Sequence, residues 1–348
     1  LGRPPAAIVA ELSVTQRAFL GRLARRTWSF FQAWVREQDH WLPPDNIQEH
    51  PSLVVARRTS PTNIGLSLLA NLSAWDFGYL QMGAVAERTA LTFDTLDKLP
   101  RHRGHFLNWY DTGTLAPLPP RYVSTVDSGN LAGHLLTLRQ GLLALVDAPV
   151  LAPHTFDGLA DTLGVLEEER QRCRPNDAPL VEGLNHLRQR LASTCIDRPA
   201  GTAETLARLQ ELADLADLLL AQWPAPPSPG EGELHWPGLF AAECHAAQAA
   251  LADLPADATM DDEAPVPSLR QLAALPGTAG ADARARIEEL QGLAHRAGQF
   301  SLMEYGFLFY RSRNLLSIGY NVDDHRLDNS FYDLLASEAR LCAFVAIA

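Results

Sequence analysis

Apolar residues recur at helical spacing between proline-containing loops, and this alternation is the feature that most restricts the fold of this sequence. In the stretch 13–37, Phe19, Leu23 and Phe31 repeat at the spacing of one helix face. Similar patterns predict helices at 62–79, 81–99 and 128–146. The helix at 62–79 is apolar on nearly every side and 81–99 is amphipathic, so buried and half-exposed helices alternate.

Prolines exclude long regular elements from the stretches 41–61 and 100–127, which are predicted to be loops. The composition then changes after Asp147, where the chain becomes rich in Ala, Leu, Glu and Arg and lacks recognisable motifs. Helical periods in this part lie near 155–172, 179–194, 202–223, 236–253 and 281–297. The pattern is typical of an inserted helical layer with solvated charged faces.

After residue 300 the pattern of apolar residues changes again. Short apolar runs on either side of 311–314 predict a β-hairpin. The stretch 331–348 predicts a last helix, and past Ala339 this helix is apolar on almost every side and therefore expected to be buried.

The predicted fold is a mainly α domain of the α/α-toroid type, incomplete, with an inserted helical layer and a short β-hairpin. We expect three segments. They are toroid helices with ligand-facing loops at 1–150, the inserted Ala/Leu-rich helices at 151–299, and the hairpin with a buried toroid helix at 300–348.

The composition argues against several classes of function. The net charge of −12 disfavours nucleic acid or anionic lipid as a partner. The four cysteines form no CxxC pair, so we expect free thiols and no metal site. Nucleotide-binding and hydrolase motifs are missing, so no cofactor is expected.

No apolar run is long enough to span a membrane. Because the sequence opens without Met and stops inside an apolar run, we expect a piece of a longer protein.

The first polar loop, 57–65, carries guanidinium, hydroxyl and amide donors just before a predicted apolar helix. Free N–H groups at the start of that helix would also suit ligand oxygens. The alternative is helix capping by Ser60 or Thr62. The candidate ligand-binding residues are Arg58, Thr59, Ser60 and Asn63.

The second loop, 105–112, combines aromatic and short polar side chains. An aromatic ring can cover the apolar face of a sugar while amides and carboxylates bind its hydroxyls. The alternative is an aromatic cluster that anchors a long loop. The candidates are Asn108, Trp109, Tyr110 and Asp111.

The third loop, 122–130, ends at a predicted helix start, where Asp127 or Ser128 could act as the cap. Gly129 would let a ligand approach the backbone closely. The candidates are Asp127, Ser128 and Asn130. Three such loops, each leading to a helix end, predict an open polar cleft.

Two later residues complete the candidate site, namely Tyr320 and Glu338. Glu338 lies on the last predicted helix, where an ion pair with Arg340 is the alternative to ligand contact.

Several motifs, in this order, resemble the glucoamylase-like domain of bacterial cyclic β-1,2-glucan synthases. They are WLPPDN at 41–46, TSPTNIG at 59–65, NWYDT at 108–112, TVDSGNLAG at 125–133, SIGYN at 317–321 and YDLLASEAR at 332–340. The resemblance covers about 15–150 and 300–348 and is weak across the middle.

The resemblance implies an (α/α)6 barrel that binds linear β-1,2-glucan and cyclises it by anomer-retaining transglycosylation. It also implies glycosyltransferase and phosphorylase-like segments as neighbours in one polypeptide, at the cytoplasmic face of the bacterial inner membrane. Alternatives are a β-1,2-glucan hydrolase on the same toroid and a non-catalytic helical scaffold.

Retention needs two carboxyl groups on opposite sides of the scissile bond. The family pattern implies that this pair lies beyond Ala348, so we expect the chain to be the substrate-binding half and inactive alone. Asp111 and Asp127 are weak candidates for catalysis and are expected instead to grip glucose hydroxyls or orient Arg58.

Overall fold

The computed structural model describes residues 12–224, 230–252, 254, 264–332 and 337–347, with the side chains of 337–339 excepted. Its α-helices, in chain order, are α1 (Val14–Trp34), α2 (Pro61–Asp76), α3 (Met82–Leu96), α4 (Thr125–Leu145), α5 (Thr155–Cys173), α6 (Ala178–Ile196), α7 (Thr202–Gln222), α8 (Trp236–Ala252), α9 (Leu269–Ala273), α10 (Gly277–Phe300) and α11 (Ser337–Ile347). The mainly α class is confirmed. The toroid type and the inserted helical layer stay predictions.

The strands are two or three residues long and, apart from β11, lie in or at the edge of the stretches predicted to be loops and hairpin. They are β1 (Ile47–Gln48), β2 (Val54–Val55), β3 (Arg58–Thr59), β4 (Arg101–His102), β5 (His105–Phe106), β6 (Tyr110–Asp111), β7 (Tyr122–Ser124), β8 (Phe309–Tyr310), β9 (Leu315–Leu316), β10 (Gly319–Asn321) and β11 (Arg326–Leu327). All pairings between them are antiparallel: β1 with β2, β3 with β6, β4 with β5, β8 with β9, and a sheet in the order β11-β10-β7. The predicted hairpin is therefore confirmed as β8–β9.

Helix starts follow local capping chemistry. The Ser13 hydroxyl accepts from the backbone N–H of Gln16, whose side chain accepts in return from the Ser13 N–H, and this capping box begins α1. Helix α4 begins earlier than predicted, because Ser124 caps it by accepting from the Asp127 N–H at 3.3 Å. The predicted caps, Asp127 and Ser128, therefore lie inside the first turn.

Helix α4 lies at the centre of the first hydrophobic core, where it packs against α2, α10 and α11. Its buried face carries four leucines without solvent exposure, Leu131, Leu135, Leu138 and Leu142. Each such side chain contributes roughly 2 kcal/mol through burial. The same core includes residues of α2, α3, α9 and α10.

A second core lies among α5, α6, α7 and α8. It is joined to α1 by the fully buried Arg25, whose Nη2 lies 2.7 Å from Glu243 Oε1 and whose Nε donates to Thr162 Oγ1 at 2.8 Å. Removal of one partner would leave an uncompensated buried charge, so this ion pair strongly favours the packing of α1 against α5 and α8.

The division of the chain into segments stays a proposal. Because α9 and α10 pack in the first core, we propose that the inserted layer ends near residue 266 rather than at 299.

The last helix differs from its prediction. Residues 333–336 of the predicted helix lie outside the described residues, and α11 begins at Ser337. Cys342 is buried against α4, but Phe344 is 68% exposed and Ile347 86% exposed. The prediction of a helix buried on all sides was wrong, because only one face of α11 packs on α4.

A buried histidine ties the second loop to the core. His105 Nε2 lies 2.8 Å from the Glu304 carbonyl and Nδ1 lies 2.9 Å from Ser128 Oγ. Because a carbonyl can only accept, we assign the proton of the neutral ring to Nε2. Burial lowers the pKa of His105 to about 4.

The close approach of α4 and α11 can be tested at Gly129. A Cβ there would lie 2.4 Å from Cys342 Cα, so Gly129→Ala should lower the free energy of unfolding by about 2 kcal/mol. The matched control is Gly292→Ala on α10, where a Cβ would meet nothing within 4 Å. This control should gain about 0.5–1 kcal/mol from helix propensity. Equal shifts in urea unfolding for the two variants would contradict the packing.

The buried state of His105 predicts a pH effect on stability. The pKa of an unfolded histidine is about 6.5, so between pH 6.5 and 4 only the unfolded chain binds this proton. The contribution of the neutral ring is therefore complete above about pH 6.5 and is lost as the pH falls towards 4. On lowering the pH from 6.5 to 4.5, urea unfolding should show roughly 2 kcal/mol more loss for the wild type than for His105→Gln.

The wild type must be compared with His105→Gln because a second group, Asp161, titrates in the same pH interval. Burial raises the pKa of Asp161 to about 6, which acts on stability with the opposite sign. Parallel pH profiles for wild type and His105→Gln would rule out the assignment to His105.

Candidate functional site

The pairing of β3 with β6 brings the first two polar loops together. Arg58 lies opposite Asp111 and Thr59 opposite Tyr110 in this antiparallel ladder. Trp109, which precedes β6, is thereby placed beside Arg58, and the Arg58 guanidinium carbon lies 4.7 Å from the Trp109 ring centroid.

An ion pair between the half-buried Arg57 and the buried Asp39 supports this ladder. Arg57 Nη1 donates to both oxygens of the buried Asp39 carboxylate at 2.7 and 2.8 Å. The Thr112 hydroxyl donates to the same carboxylate at 2.9 Å. Hydrogen bonding to Asp39 raises the pKa of the Arg57 guanidinium. Arg57, which precedes β3, and Thr112, which follows β6, lie next to each other at one end of the ladder and are both held by this carboxylate.

The third loop joins the first two through a chain of hydrogen bonds. With its amide oriented to satisfy both neighbours, Asn108 accepts from the Trp109 indole N–H and donates to Asp127 Oδ2, each over 3.1 Å. Asp127 Oδ1 accepts from the Thr62 hydroxyl at 2.6 Å, and that hydroxyl accepts from the Asn130 amide at 3.2 Å. All three predicted loops therefore meet at one surface.

A second carboxylate organises the other side of this surface. Asp45 Oδ2 accepts from Nε and Nη2 of Arg58 at 3.2 and 3.0 Å. Its Oδ1 accepts from the Asn63 amide at 3.4 Å. Asn63 lies in the first turn of α2, which Ser60 caps by accepting from the Asn63 N–H.

We call this surface the polar wall. It consists of Asp45, Arg58, Thr62, Asn63, Asn108, Trp109, Asp127 and Asn130. These side chains are exposed or half-buried, and they present one aromatic ring, one guanidinium, two carboxylates, two further amides besides Asn108 and a hydroxyl.

Two members of the polar wall were missing from the predicted site. Asp45 belongs to the WLPPDN run and Thr62 to the TSPTNIG run, so both lie in motifs that already carried the resemblance. Thr62 was interpreted only as a possible helix cap. The contact of Asp45 with Arg58 was not predicted, because the two residues lie 13 positions apart in the chain.

Four predicted ligand-binding residues are buried, and their direct contact with a ligand is corrected. Thr59 and Tyr110 have no exposed surface, and Ser128 has 1%. The Tyr110 hydroxyl donates to the Pro100 carbonyl at 2.6 Å and accepts from the Leu107 N–H at 2.7 Å, so this ring anchors the loop. Ser60, which is also buried, is the cap of α2.

Asp111 lies at the edge of the site with its carboxylate engaged in a turn. Its Oδ1 accepts from the N–H and hydroxyl of Thr114 at 2.7 and 2.9 Å and from the Gly113 N–H at 3.1 Å. These bonds, led by the Thr114 N–H, lower the pKa of Asp111. A carboxylate held ionised in this way is a poor proton donor.

The remaining predicted residues are not connected to the polar wall by any described contact. Tyr320 stacks on His102 with ring centroids 5.5 Å apart and packs edge-on against Phe307 at 5.2 Å. Gly129 serves the approach of α11 rather than that of a ligand. The side chain of Glu338 lies outside the described residues.

The chemistry of the polar wall is that of hydrogen bonding and ring stacking. Within the described part of the chain, no three His, Cys, Asp or Glu side chains come together as a metal site would require. Among the described helices, none combines the length and apolarity needed to cross a bilayer. All four cysteines are free thiols, as predicted.

Comparison with known proteins relates the chain to one enzyme. No family model matches the sequence. Over 350 residues, the chain is 35% identical to cyclic beta-(1,2)-glucan synthase NdvB of Rhizobium meliloti (strain 1021), an alignment that covers 97% of the chain and 12% of the synthase.

Solved structures are more distant. The crystal structure of a beta-1,2-glucanase from Parabacteroides distasonis is 12% identical to the chain, with coverage of 96% of this chain and 57% of the glucanase. The TM-score of 0.31 is too low to establish a shared fold. The sequence relationship, in contrast, confirms the resemblance found in the motifs: the chain is related along almost its whole length to one segment of a cyclic beta-(1,2)-glucan synthase.

Proposed function

We propose that this chain binds linear β-1,2-glucan for the transglycosylation step of a cyclic β-1,2-glucan synthase. The observation that carries the proposal is the polar wall, in which Trp109 stands among amide, hydroxyl and carboxylate groups from three separate loops. The sequence relationship to a cyclic beta-(1,2)-glucan synthase supports the choice of glucan.

The composition of the polar wall suits a pyranose ring. The apolar face of a glucosyl unit can lie on the indole of Trp109, while its hydroxyls exchange hydrogen bonds with Asn130, Asp127 and Arg58. Because hydrogen bonds already hold these side chains in place, less conformational entropy is lost when the ligand binds.

The proposed reaction retains the anomeric configuration, which requires a nucleophilic carboxylate and an acid/base carboxyl group on opposite sides of the scissile bond. We assign neither role to Asp111 or Asp127. Asp111 is engaged in its own turn, and both oxygens of Asp127 bind neighbouring side chains. Their proposed role is to keep the sugar-binding surface ordered through these hydrogen bonds.

The remaining features of the proposal concern partners and place in the cell. We propose that glycosyltransferase and phosphorylase-like segments of the same polypeptide supply and trim the glucan, and that the protein works at the cytoplasmic face of the bacterial inner membrane. The small fraction of the related synthase that this chain matches, 12%, supports the presence of further segments.

The test of the proposal is the affinity for linear β-1,2-glucan, measured by calorimetric titration. Trp109→Ala removes the stacking ring and should weaken binding by about 1–2 kcal/mol. Unchanged affinity in a folded Trp109→Ala protein would place Trp109 in a structural cluster, and no binding by the wild type would refute the proposed function.

The neighbouring Tyr110→Phe is the matched control. Tyr110 is buried, and its hydroxyl bonds only to backbone groups in the described structure. This variant should lose about 1–3 kcal/mol of stability, since a buried N–H and a carbonyl lose their partner. Its affinity for glucan should equal that of the wild type.

A further inference from the structure

The two faces of the Trp109 ring are not equivalent. The Arg58 guanidinium lies over one face, 4.7 Å from the ring centroid. Among the described residues, no second cation and no aromatic ring pairs with Trp109, which is half-exposed. The indole N–H is already bonded to Asn108. A sugar ring can therefore stack on one face of Trp109 while Arg58 keeps the other.

Hydrogen bonds to Asp45 keep the Arg58 guanidinium over the Trp109 ring. The Arg58 side chain is 49% exposed, and an exposed arginine ordinarily samples many rotamers. Two hydrogen bonds to Asp45 Oδ2, from Nε and Nη2, restrict it. Its Nη1 has no partner among the described residues, so its N–H groups remain available to a ligand.

Asp45 is itself fixed by its surroundings. Its side chain is 19% exposed, and its backbone N–H donates to the Ala56 carbonyl at 3.1 Å. The amides of Asn46 and Asn63 donate to its carboxylate at 3.0 and 3.4 Å. The carboxylate is thus a preformed anchor and Arg58 is the movable partner.

We propose that Asp45 is a positioning residue that makes Trp109 a one-sided platform and aims Arg58 at the glucan. One glucosyl unit stacks on the face of Trp109 that Arg58 does not cover, and Arg58 donates from Nη1 to hydroxyl oxygens of the neighbouring unit. The inference rests on the proposed function, because it assigns how the same wall binds β-1,2-glucan.

The experiment is a double-mutant cycle on glucan affinity. Calorimetric titration with linear β-1,2-glucan is performed on wild type, Asp45→Ala, Arg58→Ala and the double variant. Each single variant should bind about tenfold more weakly, as expected when a charge-assisted hydrogen bond is lost. The proposal assigns the effect of Asp45 on binding to Arg58 and not to Asn63, so the double variant should bind no more weakly than Arg58→Ala.

The matched control is Asp147→Ala, which removes another carboxylate that binds Nε and Nη2 of an arginine, Arg270, outside the polar wall. This variant should keep wild-type affinity. If Asp45→Ala unfolds at the assay temperature, Asp45→Asn replaces it in the cycle, since it retains the shape and removes the charge that holds the guanidinium.

The outcomes separate the two levels of the proposal. Binding by the wild type with additive losses in the double variant would overturn the role of Asp45, because a carboxylate that only supports the loop would weaken binding in the Arg58→Ala background as well. Full affinity in Asp45→Ala and Asp45→Asn would overturn it too. Absence of binding by the wild type would instead refute the proposed function, and the assignment of Asp45 with it.

Discussion

The antiparallel pairing of Arg58–Thr59 with Tyr110–Asp111 is the constraint on which the candidate site depends. Two residues in each strand suffice, because the Asp39 carboxylate binds both Arg57 and Thr112, the residues next to the ladder. Ladder hydrogen bonds are directional, so this pairing sets the register as well as the distance between the two loops. Without it, Trp109 and Arg58 would lie on unrelated segments.

Two further carboxylates extend that order to the start of helix α2. Asp45 accepts from Asn63 and Asp127 accepts from Thr62, so neighbouring residues of one helical turn bind a loop carboxylate and a carboxylate from the first turn of α4. Such bonds satisfy polar groups that would otherwise need water, and they hold the surface in one arrangement. A surface ordered in this way is suited to a ligand such as a sugar, whose recognition depends on the direction of each hydrogen bond.

Several predictions left two explanations open, and the structure places a helix cap and a member of the polar wall in one turn. Ser60 caps α2, while Asn63 in the same turn belongs to the polar wall. In the second loop, Tyr110 is buried and anchors the loop, whereas its neighbour Trp109 is half-exposed. Sequence alone did not separate them, because successive residues of a strand point to opposite sides and the register depends on the partner strand.

The sequence by itself determined the helices, the positions of the polar loops and the relationship to one segment of a cyclic beta-(1,2)-glucan synthase. These follow from periodicity, capping residues and ordered motifs, which are local in the chain. Only the tertiary structure decided that Asp45 holds Arg58, that Ser128 is buried and that one side of α11 stays exposed. The physical reason is that burial and side-chain pairing depend on contacts between residues distant in sequence, which composition and spacing do not encode.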